Sequence, residues 1–177
     1  DFSSGAPVPL FNNAISFSHE SGTSLADAAG NLLFYADGNA VCFNRNHVPM
    51  TNGTNLVMHN SVTQGCIFIK RPGSANLYYL FHIGKPNLGS PPFTLYYSEI
   101  DMNMAGGLGA ITANKNIPIA ASTNNCAEKM TATMHCNGTD VWLLVHDYSG
   151  TGYKAYLVTA AGVNTVPVVS NAGTAFC

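Results

Sequence analysis

DAAGNLLFYADGNAVCFNRNH, residues 27–47, reads as a strand, a turn, a second strand and an exit loop. Residues 31–37 are short and almost wholly apolar. That suits a strand covered on both faces better than a helix, which needs at least ~10 residues. Asp37, Gly38 and Asn39 supply turn chemistry, with Gly38 expected to take a positive φ, and the chain then returns through Val41, Cys42 and Phe43. The same order recurs twice downstream. NLYYLFH (76–82) is followed by a strand over 93–98, and DVWLLVH (140–146) by one over 153–158. A turn glycine precedes each apolar run, at Gly30, Gly73 and Gly138, which stand 43 and then 65 residues apart.

Four strands per repeat of ~40 to 65 residues is the spacing of β-propeller blades. The expectation is an all-β chain of β-propeller-type repeats: three four-stranded antiparallel blades over 14–60, 61–121 and 122–174, after an extended lead-in over 1–13. Within the first, the innermost strand falls between residues 20 and 27 and the outer part runs through Asn52 and Gly53 to Met58. A β-sandwich of meanders is the alternative. Runs such as YYLF and VWLLV favour blades, whose strands are covered on both sides, whereas sandwich strands alternate in and out. Three blades cannot close a ring that typically needs four to eight, so the ring is incomplete. Its end faces would be exposed unless the chain is part of a longer one or copies complete one another.

Composition narrows the class further. Only 9% of the 177 residues are charged and the net charge is −2, so solubility rests on neutral polar groups, as is common in secreted β proteins. The seven Lys and Arg residues are scattered, which gives no footprint for nucleic acid. No apolar run approaches the ~18 residues of a membrane span, and no signal peptide opens the chain. The cysteines lack metal-knuckle spacing. Cys126 and Cys136 flank one strand and would pair only if a loop folds back, Cys42 with Cys66 is an equal alternative, and buried free thiols are a third.

The segments DAAGNLLFYADG, FNRNHVPMTNGT, TQGCIFIKRPGSANLYYLF, YYSEIDMNMAGGLG, EKMTATMHCNGTDVWLLVHD and YKAYLVTAAGV, taken in order, carry a resemblance over nearly the whole chain. They resemble the propeller-like N-terminal region of large secreted surface proteins of gliding bacteria. Those are the gliding-motility-associated or PKD-domain proteins of the type IX secretion system. The resemblance implies an exported, non-enzymatic module at the cell surface. The family's sorting domain and PKD-like repeats have no counterpart here, its propeller region continues for further blades, and Cys42 stands where an aromatic is expected.

Superposing the repeats gives the candidate site. Glu20, Gln64 and Glu128 start the innermost strands, and Asp37, His82 and His146 end the next ones. Adjacent antiparallel strands bring a start and an end to one rim, so three pairs, Glu20 with Asp37, Gln64 with His82 and Glu128 with His146, should gather near the axis. Such pairs either tie blades together as buried hydrogen-bonded groups or bind a cation or sugar, with Tyr96, Tyr97, Tyr148 and Tyr153 either stacking on sugar rings or packing the blades. A glycoside hydrolase would use Glu20, Asp37 and Glu128 as acid and base. No G-x-S-x-G elbow is present, and no cofactor is implied. The Asn-x-Thr sequences at Asn52 and Asn137 are read as Asn-Gly turns. The expected function is adhesion, matrix or filament assembly, or cargo display, with surface glycans, further chain or other copies as partners; a lectin-like propeller is the alternative.

Overall fold

The computed structural model describes Gly5 and residues 20–86 and 89–172, so the lead-in over 1–13, apart from Gly5, and the first residues of the first repeat lie outside the described residues. Three antiparallel sheets follow one another along the chain. The first consists of β1 (Gly22–Ala26), β2 (Leu32–Asp37) and β3 (Val41–Asn44). The second has β4 (Cys66–Lys70), β5 (Leu77–Gly84), β6 (Thr94–Asp101) and β7 (Ala110–Ile111) in order, with β8 (Ile117–Pro118) also pairing β6. The third has β9 (Cys126–Met134), β10 (Val141–Asp147), β11 (Gly152–Thr159) and β12 (Gly162–Val163), with β13 (Val168–Asn171) also on β11. Among the described residues none of the sheets closes on itself.

The second sheet lies between the other two, and its sequence explains why. β5 is buried at seven of its eight positions. Tyr79, Phe81 and Ile83 turn to one face and pack with Leu143, Val145, Tyr156 and Val158 of the third sheet. Tyr78 and Leu80 turn to the other and join Phe34, Ala36 and Cys42 of the first. Phe34 sits edge-on to both Phe68 (4.8 Å between ring centroids) and Tyr78 (5.2 Å). Burial of each such side chain contributes about 1.5–3 kcal/mol. The leading strands are neighbours: β1 lies against β4, and β4 against β9.

Several expectations need correction. Among the described residues the first sheet has three strands, not four. Residues 52–58 do not extend, because Asn52 and Asn55 hold φ of 58° and 56°; near them lie only isolated bridges, Phe43 with Pro49 and Thr51 with Ala110. In the other two sheets the fourth position is filled by two short strands rather than one. Gly30, Gly73 and Gly138 take positive φ as their turns require, but in the 37–41 turn the left-handed residue is Ala40 (φ 69°), not Gly38. Gly38 is needed for space instead: a Cβ there would stand 3.0 Å from the Asn60 Cα and 3.2 Å from the Ser21 Cβ.

No disulfide forms among the four candidate cysteines. Cys42, Cys66 and Cys126 are buried free thiols and Cys136 is an exposed one. Cys126 opens β9 and Cys136 lies beyond its far end, so nine residues of continuous strand hold them apart. Burial pushes the Cys66 thiol up to about 11 and the Cys126 thiol to about 12, which suits small apolar packing groups.

Candidate functional site

Strand register decides which candidates meet. In the first two sheets Asp37, the last residue of β2, is opposite Gly22, and His82, two residues before the end of β5, is opposite Cys66, so the register partners are not Glu20 and Gln64. In the third sheet the residue opposite Cys126 is Asp147, not His146. A bulge in β9 sets three residues, Ala127 to Lys129, against His146 alone, and the pairing resumes at Met130 with Val145. Asp147, one residue beyond His146, is therefore the true counterpart of His82.

The chemistry repeats with the register. His82 is fully buried; its Nδ1–H donates to the Val57 carbonyl (2.9 Å), and its Nε2 accepts from the Ser98 hydroxyl (3.1 Å). The Asn116 N–H donates in turn to Ser98 Oγ (3.0 Å). A carbonyl can only accept, which fixes the proton on Nδ1, and burial lowers the imidazole to about 4. In the third sheet Asp147 makes the same diagonal contact, accepting from Lys154 Nζ at 2.5 Å, with both side chains largely shielded. Asp37 accepts from the N–H groups of Asn39 (3.2 Å) and Val41 (3.3 Å), and so caps its own turn.

The remaining candidates disperse along the rim. Glu20 is exposed and accepts from the Ser61 hydroxyl (3.5 Å), while Glu128 accepts from Thr63 (3.3 Å). Gln64 donates its N–H to the Glu128 carbonyl (3.0 Å) and bridges Lys129 in parallel, so main chain joins the second and third sheets here beside the Thr63–Glu128 contact. His146 donates from Nδ1 to the Asp147 carbonyl and stands edge-on to Tyr153 at 4.5 Å. Gln64, Lys129, His146 and Tyr153 together line a small cavity of about 250 Å³. Of the four tyrosines, Tyr96 stacks on His82 (5.7 Å) and Tyr97 packs edge-on to Tyr79 (5.7 Å), while Tyr148 and Tyr153 are exposed.

Two larger depressions lie elsewhere. One, of about 540 Å³, is bordered by the 38–40 turn, residues 55–58 and Lys85. The other, of about 510 Å³, is a groove between β4 and β9. Glu20, Asp37 and Glu128 line none of these three cavities. Among the described residues no three His, Cys, Asp or Glu side chains are grouped to hold a metal ion. Among the described residues no helix is long and apolar enough to cross a membrane. No protein-family model matches the chain, and no curated protein and no solved structure matches it either.

Proposed function

We propose that this chain is a propeller-type module of an extracellular or cell-surface protein, serving adhesion, matrix or filament assembly, or display of a cargo, without catalysis of its own. The observation that carries the reading is the stacking of similar sheets. The second is covered on both faces by its neighbours, and the leading strands lie side by side, so the pattern extends by adding sheets rather than by closing one. The scarcity of charge supports an exported protein, and the resemblance to surface proteins of gliding bacteria gives the setting. Labelling intact, unpermeabilised producing cells with antibodies raised against the folded chain tests it. Label on the surface or on released material is expected; antigen confined to the cytoplasm would overturn the reading.

A lectin-like role is the second reading, favoured by the cavity that Gln64 and the exposed Tyr153 line together. An amide that bonds hydroxyls beside an exposed aromatic face is the usual chemistry of sugar binding. Saturable binding on a glycan array, lost in Tyr153→Ala, would establish it. A blank array would retire it.

A further inference from the structure

The groove between β4 and β9 has a feature that its size alone does not convey: both of its walls are unpaired strand edges. β4 and β9 are terminal strands of their sheets. The Arg71 N–H donates to the Leu77 carbonyl (3.0 Å) and the Ile83 N–H to the Gly65 carbonyl (2.8 Å), so the odd-numbered residues of β4 bond to β5. Phe68 and Lys70 therefore turn their N–H and C=O groups the other way. In β9 the His135 N–H donates to the Asp140 carbonyl (2.8 Å), so Thr131 and Thr133 bond to β10, and Ala132 and Met134 turn theirs outward. Among the described residues these four find no main-chain partner on that side.

The two edges touch at the parallel bridge between Gln64 and Lys129, then part to leave about 510 Å³. Ile69, Ala132 and Val141 form an apolar floor there. At the mouth Lys70 is exposed; its ammonium lies 5.8 Å from the centre of the Tyr78 ring, and no carboxylate pairs with it among the described residues. Two rows of spaced donors and acceptors over an apolar floor are matched by one kind of ligand, an extended main chain with alternating side chains.

We propose that this groove binds an extended peptide as an added strand, with an acidic group of the peptide, side chain or terminal carboxylate, beside Lys70. The inference needs only the two strand edges, and it stands whether or not the module is extracellular or part of a ring. The test is selection of a library of linear pentapeptides with free carboxyl termini on the full chain. It is followed by amide hydrogen exchange with the enriched peptide bound, and by its analogue N-methylated at alternate residues. Expected are enriched sequences with period-two alternation and a carboxylate, slowed exchange at Phe68, Lys70, Ala132 and Met134, and at least tenfold weaker binding of the N-methylated analogue. Lys70→Ala should weaken binding about five- to tenfold without changing the unfolding midpoint. No enrichment, equal binding of the analogue, or protection that falls outside the groove would each overturn the proposal. Because the analogue is tested on the unaltered protein, misfolding of a variant cannot mimic the expected result.

Discussion

His82 shows how one buried residue can hold a loop and set a pH response. Its Nδ1–H fixes the Val57 carbonyl, and two positions on, Gly84 lets the same loop lie close: a Cβ at Gly84 would stand 2.5 Å from the Val57 oxygen and 2.8 Å from the Met58 Cα. Those are main-chain atoms, which cannot swing aside. Gly84→Ala is expected to cost about 1–3 kcal/mol by overpacking. Gly89→Ala, at an ordinary φ and facing only the flexible Lys85 side chain (3.1 Å to its Cδ), is the control, at about 0.5 kcal/mol or less. Equal urea midpoints for the two variants would refute the close approach. The imidazole itself is neutral in the folded chain, lowered to about 4 by burial, whereas unfolded it takes a proton near 6.5. Between those values the unfolded chain binds a proton that the folded chain refuses, so the contribution is whole above pH 6.5 and declines as pH falls toward about 4. The expected slope is about 1.4 kcal/mol per pH unit in that window, absent in His82→Gln. Urea unfolding of both proteins at about pH 7 and about pH 5 measures it; a His82 resonance titrating near 6.5 in the folded protein would sink the account.

At the scale of the strand, the third sheet replaces the neutral His82–Ser98 contact with the charged Asp147–Lys154 pair, at the same register and on the same face. Only 15% and 11% of these side chains is exposed, and the Cys126 thiol lies within reach of both charges. Lys154→Met should therefore cost about 2–4 kcal/mol by stranding a carboxylate, and most of that should return in Lys154→Met with Asp147→Leu. A single substitution costing under about 0.5 kcal/mol would place the pair with exposed ion pairs instead. This element also marks how far the sequence could be read. The apolar runs, the turn glycines and the position of β1 were legible, because period and turn chemistry are local properties. The sequence points to His146 rather than Asp147 because a bulge leaves no local mark in EKMTATM, yet its two extra residues carry the partner of Cys126 from Ser149 to Asp147. Gly38 draws the left-handed turn position for a similar reason: Gly is the default there, and only the close approach of Asn60 and Ser21 reveals its other use.

For the molecule as a whole, the apolar runs YYLF and VWLLV point to strands covered on both faces, and β5, buried at seven of its eight positions, is such a strand. What the sequence could not convey was how unevenly the sheets are supported. β5 and β6 carry apolar contacts to both neighbouring sheets. β1 alternates between exposed and half-buried residues, and β13 is exposed at all four. Opening β13 uncovers almost no apolar surface, and opening β1 little more, whereas opening β5 uncovers two cores at once. Local unfolding free energy should follow that order. Native-state amide exchange over a range of low urea concentrations measures it directly. Amides of β5 and β6 should exchange only through global unfolding, with the full urea dependence, while those of β13 and then β1 exchange through smaller openings nearly independent of urea. Protection of β1 or β13 equal to that of β5 would mean that their exposed faces are covered in solution, by further chain or by other copies.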